Sequence, residues 1–170
     1  MTLSDPTLWV IVGATGTGKT ELSLKLANQI KNQKSSGSIS TPEPHIVNAD
    51  SMQFYRGMNI GTAKLTETER GGIKHHLFDV LDVTEEATVA WYQPLARKLI
   101  SDLLTAGHDV ILVGGSGLYV SSVIYDFEFP PRDETLRAAV QERFDREGID
   151  PLMERLRELA PHVADTVDSR

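Results

Sequence analysis

Five consecutive apolar residues, Leu8 to Val12, open the patterned part of the chain. A short β-branched run with no polar interruption is the pattern of a strand covered on both faces. Glycines follow at once, and then Thr20 to Lys31 places Leu22, Leu26 and Ile30 at i, i+4 and i+8, which predicts an amphipathic helix buried along that stripe. Residues 32–44 are rich in Ser, Gly and Pro and are expected to be a mobile surface loop. His45 to Asp50 predicts a second strand that ends at the aspartate, and Leu77 to Val83 a third. Between them, residues 51–76 show no clean period and are read as loops around short helices. Val89 to Ala106 fits a helix with Leu95, Leu99 and Leu103 stacked and Gly107 as its stop. Val110 to Val113 is a fourth buried strand, and after Gly114-Gly115 a helix is expected over Leu118 to Ile124. Strands alternating with helices predict an α/β fold, a mostly parallel sheet with helices on both faces.

Phe129-Pro130-Pro131-Arg132 marks a boundary, giving an α/β core over residues 1–129 and a helical segment over 130–170. In the second part, helices are predicted over Thr135 to Glu147 and Pro151 to Leu159, with Leu152, Leu156 and Leu159 as a core-facing stripe. The chain reaches Arg170 without a helix stop signal, so this helical domain is expected to be incomplete.

Composition narrows the classes. Among 170 residues there is no cysteine, which excludes a disulfide scaffold, a thiolate metal site and a cysteine nucleophile. Apolar runs fall short of a membrane helix, and the N-terminus lacks a basic flank and a small-residue cleavage site, so a soluble cytoplasmic protein is expected. The net charge of −7 is the wrong sign for holding nucleic acid by bulk electrostatics. The excess is uneven, since residues 126–170 carry 12 acidic and 7 basic groups. A polyanion is therefore expected to meet the first part of the chain, at local sites.

The strongest chemical signal is Gly13-Ala14-Thr15-Gly16-Thr17-Gly18-Lys19-Thr20, which matches the phosphate-binding G-x-x-x-x-G-K-[ST] motif between a strand and a helix. Glycines let backbone N–H groups converge on phosphate oxygens, and the following helix adds its positive end. Lys19 supplies a point charge for the terminal phosphates, and the Thr20 hydroxyl is the expected ligand for Mg²⁺. The fold expected is thus P-loop NTPase-like. Asp50, at a strand's carboxyl end, could accept a proton from a nucleophile, hold Mg²⁺ through water, or cap a helix. The fourth strand runs into Gly114-Gly115-Ser116-Gly117 with no carboxylate, which argues against motor-like hydrolysis. Gly61-Thr62-Ala63-Lys64 could bring a second lysine to the phosphates, but a solvated loop lysine is the favoured reading. His75-His76 lacks a third ligand at metal spacing and is assigned structural roles.

Taken in order, GATGTGKT, NADSMQFYRGMNIGTAK, HHLFD and VGGSGLY resemble the tRNA dimethylallyltransferases, also called tRNA isopentenyltransferases. The resemblance runs over roughly residues 8–170, and the stretch around Leu136-Arg137 resembles the start of that family's small helical insertion domain. It implies transfer of a dimethylallyl group from dimethylallyl diphosphate to N6 of the adenosine 3′ of the anticodon in tRNA. By the same resemblance, Gly13 to Thr20 would cradle the donor's diphosphate, with Lys19 and Mg²⁺ on Thr20 neutralising the leaving group. Asp50 would take the N6 proton. Asp50, Ser51, Met52, Gln53, Ser116 and Arg137 match tRNA-contacting positions, with Ser116 where the family usually carries threonine. The implied partners are the tRNA anticodon loop and dimethylallyl diphosphate, with no membrane, and a monomer is expected. The family's chains continue well past the point where this one stops.

Three other readings are weighed against this one. Prenyl transfer to free adenine nucleotides uses a similar fold, but the D-S-x-Q and GTAK blocks resemble the tRNA enzymes. A P-loop small-molecule kinase would need cations over the transferred phosphoryl group, and residues 114–131 contain no Arg or Lys. A nucleotide-gated binding module would have no use for a carboxylate at position 50.

Overall fold

The computed structural model describes residues 5–35, 42–129 and 133–167, in two compact units, Met1–Glu128 and Phe129–Arg170. Of the loop expected over residues 32–44, residues 32–35 are instead the end of the first helix, 42–44 are irregular, and 36–41 lie outside the described residues.

The first unit contains β1 (Leu8–Val12), α1 (Lys19–Ser35), β2 (His45–Asn48), a 3₁₀ turn (Ser51–Gln53), β3 (Lys74–His76), α2 (Val89–Thr105), β4 (Val110–Gly114) and α3 (Gly117–Ile124). All strand pairings are parallel, in the order β1-β4-β2-β3. Alternate strand residues feed two cores. Val47, Val110 and Leu112 face α2 and α3, joining Tyr92, Ala96, Val120 and Phe54. Ile46 and Ile111 face the other way, against Ala27 and Ile30 of α1. The fold is α/β, with helices on both faces of a parallel sheet.

Four expectations are corrected. β1 is an edge strand among the described residues, and Trp9, Val10 and Val12 are exposed. Its apolar run therefore does not mean burial on two faces here. The third strand is Lys74–His76 and not Leu77–Val83. Leu77 and Asp79 have φ of 62° and 55°, which breaks extended pairing, and only Leu81 makes an isolated bridge, to Tyr55. On α1 the buried face is Ser23, Ala27 and Ile30, while Leu22 is exposed. Small residues let the helix approach the sheet, and the Ser23 hydroxyl is satisfied by the Thr20 carbonyl at 2.7 Å.

In the second unit α4 spans Glu134–Glu147, α5 Asp150–Leu159 and α6 Pro161–Ala164. Asp133 caps α4 by accepting from the Leu136 N–H at 2.9 Å, and Gly148 ends it with φ 77°. The fourth correction lies here: Leu159 is exposed, and the buried residues are Met153 and Ala164. No helix among the described residues is long and apolar enough to cross a membrane.

Candidate functional site at the carboxyl ends of the strands

β1, β2 and β4 end on one side of the sheet, and the segments that leave them carry the polar residues singled out above. After β1 the chain turns through Gly16 and Gly18, both with φ above 80°, and enters α1 at Lys19. The left-handed region is open to glycine at little cost. Lys19 Nζ donates to the Ala14 carbonyl at 2.7 Å, and Thr17 Oγ1 donates to the same oxygen at 2.8 Å. The lysine is thus folded back over its own loop, within reach of whatever that loop holds.

Asp50 follows β2. Its Oδ1 accepts from the Met52 N–H at 3.1 Å and caps the 3₁₀ turn, while Oδ2 has no protein partner among the described residues. Capping and cleft-lining are compatible, because one oxygen does each. The backbone around it is fixed by Asn48, a residue the sequence reading did not single out. Asn48 Oδ1 accepts from the Asp50 N–H at 3.0 Å, and its Nδ2 donates to the Asp50 and Leu77 carbonyls at 3.0 and 3.1 Å. The Asn48 carbonyl in turn accepts from the Tyr92 hydroxyl at 2.9 Å, whose pKa burial pushes well above the usual phenol value.

After β4, Gly114 passes so close to β2 that a Cβ would lie 2.6 Å from the Ala49 carbonyl oxygen. Glycine at this position is what lets the two strand ends converge.

The result is an open cleft whose lining includes Lys19, Thr20, Asp50 and Gln53 with Gly114 and Gly115. The cleft also carries an apolar portion, with Ile46, Ala63, Leu65, Phe78 and Val113. His75, given a structural role on spacing alone, lines it too. The His75 Nδ1–H donates to the Ile73 carbonyl at 2.8 Å, and the ring stacks on Phe78 with centroids 5.5 Å apart. Burial holds its pKa below the usual histidine value, so it is neutral near pH 7. An assigned Nδ1–H leaves Nε2 as an acceptor.

The other predicted residues are placed less uniformly. Gln53 is buried and its Nε2 donates to the Thr62 carbonyl at 2.9 Å. Ser51 is half-buried, Met52 is exposed, and Ser116 stands at the N-cap of α3 without a side-chain capping bond. None of Ser51, Met52 and Ser116 lines the cleft. Arg137 is exposed on α4, in the second unit. His76 is drawn away from the cleft, sharing a 2.9 Å hydrogen bond with His45 Nδ1. Lys64 is neither solvated nor at the glycine-rich turn of residues 13–20: its Nζ donates to the Tyr55 carbonyl at 2.6 Å and to Asp79 at 2.8 Å.

Comparison with known proteins adds to this geometry. Residues 53–170 match the family model described as IPP transferase. The chain belongs to the IPP transferase family. It is 50% identical over 157 residues to a tRNA dimethylallyltransferase of Clavibacter sepedonicus, covering 92% of this chain and 49% of that one. A tRNA dimethylallyltransferase of Saccharopolyspora erythraea is 51% identical over 164 residues, covering 96% and 49%. Among solved structures, the tRNA isopentenylpyrophosphate transferase of Bacillus halodurans superposes with TM-score 0.63 at 36% identity, covering 96% of this chain and 50% of that one. A eukaryotic dimethylallyltransferase acting on tRNA gives TM-score 0.70 at 26% identity, covering 98% and 38%. This IPP transferase family chain thus spans about half the length of the curated relatives it matches.

Proposed function

We propose that this chain carries the donor-binding and proton-accepting part of a tRNA dimethylallyltransferase, which moves a dimethylallyl group from dimethylallyl diphosphate to N6 of the adenosine 3′ of the anticodon. The observation that carries the reading is that Lys19, Thr20 and Asp50 line one cleft that also has an apolar portion. A diphosphate ester with a short branched hydrocarbon needs both. Phosphate oxygens would meet the backbone N–H groups of residues 13–20 and the Lys19 ammonium. The hydrocarbon would lie against residues such as Leu65 and Phe78.

In this reaction C1 of the donor loses diphosphate and gains the adenine nitrogen, and the nitrogen gives up one proton. An allylic carbon ionises readily, so the main task is to stabilise negative charge growing on the leaving diphosphate, and Lys19 does this. The Asp50 carboxylate has one oxygen bound to Met52 and one open, and the open oxygen receives the N6 proton. Ser51, Met52, Gln53, Ser116 and Arg137 contact the tRNA, whose target base leaves its stack to reach the cleft.

Mg²⁺ fits the donor set. Among the described residues no group of three His, Asp or Glu side chains could hold a metal, so an ion here would rely on the Thr20 hydroxyl and on phosphate oxygens. Magnesium is commonly held that way, by few protein groups plus substrate phosphates. When bound, it supplies further charge neutralisation at the leaving group. A monomeric, cytoplasmic enzyme accords with this reading. Membership of the IPP transferase family weighs against the kinase reading.

The test is mass spectrometry of an unmodified anticodon stem-loop incubated with the chain, Mg²⁺ and dimethylallyl diphosphate, beside an ATP-only control. A prenyl-sized gain on the adenosine 3′ of the anticodon is expected. No gain, both with this chain and with one extended to its relatives' length, overturns the reading.

A further inference from the structure

Lys64 is a buried ammonium outside the cleft, its side chain only 3% exposed. Burying a charge is unfavourable unless it is paired, and two partners pair it here. One is the Tyr55 carbonyl, in the segment that follows Asp50, and the other is the Asp79 carboxylate, in the segment that follows β3.

Three non-glycine residues with left-handed backbone lie within or next to the segments this pair joins: Ala63 (φ 54°), Leu77 (φ 62°) and Asp79 itself (φ 55°). Such conformations persist where surrounding structure over-determines them, and they cluster at sites that bind. Their positions are informative. Ala63 precedes Lys64 and lines the cleft, while Leu77 and Asp79 flank Phe78, which also lines it. Phe78 is held on one side by the stacked ring of His75 and lies 4.9 Å from the Arg70 guanidinium carbon. The same two segments are laced to residues 53 and 54. Gln53 Nε2 donates to the Thr62 carbonyl at 2.9 Å, and the Val80 and Leu81 N–H groups donate to the Phe54 carbonyl at 2.7 and 3.0 Å. Lys64 is the buried charged link in this lacing, whereas the Arg56–Asp82 pair at 2.9 Å, which ties the same stretches, is exposed.

We propose that Lys64 is a positioning residue: through Asp79 and the Tyr55 carbonyl it fixes the apolar wall formed by Ala63, Leu65 and Phe78, and so sets which isoprenyl chain length the cleft takes. This rests on the reading of the cleft as an isoprenyl diphosphate site. Lys64 does not bind the diphosphate itself, because its buried ammonium is turned to the Tyr55 carbonyl and Asp79 and it is not part of the lining. A wall held by an ion pair can exclude a longer chain where an unrestrained loop would yield. Shape discrimination between hydrocarbons depends on such rigidity.

The experiment uses Lys64→Met, Asp79→Ala and Asp79→Asn in this chain, the last keeping an oxygen acceptor for the ammonium. Calorimetric titration with inorganic pyrophosphate, dimethylallyl diphosphate and geranyl diphosphate is combined with amide hydrogen exchange. In Lys64→Met, exchange at Val80 and Leu81 is expected to rise about tenfold while Val110 to Leu112 stay protected. Pyrophosphate affinity is expected to hold within about twofold, and the preference for dimethylallyl over geranyl diphosphate to fall by about fivefold or more. Asp79→Ala should match it, and Asp79→Asn should retain most of the preference. If Lys64→Met does not fold, the two Asp79 variants decide, since that carboxylate is 41% exposed. Unchanged exchange and preference overturn the proposal, as does loss of pyrophosphate binding, which would put Lys64 on the phosphates. A wild-type chain that binds dimethylallyl diphosphate no better than pyrophosphate overturns the donor reading itself. A wild-type preference that survives every variant overturns only the role of Lys64.

Discussion

Asn48 and Asp50 grip each other across a two-residue turn, the amide of one bonding both the N–H and the carbonyl of the other at 3.0 Å. This reciprocal pair converts the end of β2 into a rigid mount for a carboxylate. Asn48 also bonds the Leu77 carbonyl, so the mount is tied to the segment bearing Phe78. Asn48→Ala would take this donor from the buried Leu77 carbonyl and the acceptor from the Asp50 N–H, at about 1–3 kcal/mol in stability. Diphosphate binding should survive, because the phosphate loop is untouched, while transfer falls by roughly tenfold or more. Chemical denaturation and single-turnover transfer measured together check this. A variant that loses stability alone would reduce Asn48 to a structural group.

In the proposed reaction Lys19, Thr20 and Asp50 have different tasks, and their variants should fail differently. Lys19→Ala or Thr20→Ala should abolish donor binding or turnover. Asp50→Ala should spare diphosphate binding and stop transfer, with general-base catalysis contributing about 100-fold or more. Pyrophosphate titration beside transfer kinetics separates the two. If Asp50→Ala instead loses diphosphate while bound donor still reacts, Asp50 anchors metal and is not the base.

Gly114 has no room for a side chain. An added Cβ would sit 2.6 Å from the Ala49 carbonyl oxygen and 2.7 Å from the Ala49 Cβ, neither of which can swing away. Gly114→Ala should force β4 and β2 apart at the point where Asp50 is mounted. Overpacking of this kind costs about 1–3 kcal/mol. Thermal melts should show the loss, whereas alanine at Gly117, with nothing within 4 Å of its added Cβ, should be tolerated far better.

Local chemistry made parts of this molecule legible and topology hid others. The glycine turn into α1, α2 with its Gly107 stop and the β4 turn follow from periodicity and from residue types with one dominant use. The apolar run of β1 reports composition and not which neighbours a strand has, and among the described residues it has one. β3 was misplaced because Lys74-His75-His76 carries no strand pattern, and pairing with β2 imposes the conformation from outside. On α1, Ser23 and Ala27 carry the buried face because close approach to a sheet favours small residues over Leu22. Motif spacing points to Lys19, Thr20, Asp50 and Gln53 of the cleft lining, whereas Asn48, His75 and Lys64 bond backbone carbonyls, which have no sequence signature. Only the positive-φ residues beside them, which folding reveals, mark that segment as special.

The histidines at the far end of the strands give the fold a dependence on acid. His45 is 4% exposed, shares a hydrogen bond with His76, and lies 4.4 Å from the His108 ring, centroid to centroid. Burial, then the neighbouring His108, His76 and Lys74, lower its pKa to about 4, against a smaller opposing pull from Glu43. Burial lowers His76 as well. A depressed histidine pKa means that the folded chain refuses a proton the unfolded chain accepts. Above pH 6.5 neither state is charged at this site and stability is complete. As pH falls from 6.5 towards about 4, the unfolded state takes up its proton and stability drains away, levelling once the folded ring also protonates. The loss attributable to His45 is on the order of 1–3 kcal/mol. His45→Phe should therefore be less stable than the parent near pH 7.5, having lost the bond to His76, yet lose less further stability on acidification. Urea titrations at pH 7.5, 6 and 5 (about one point per unit across the histidine range) check this. Parallel pH profiles for the two proteins would show that the acid dependence resides in other groups.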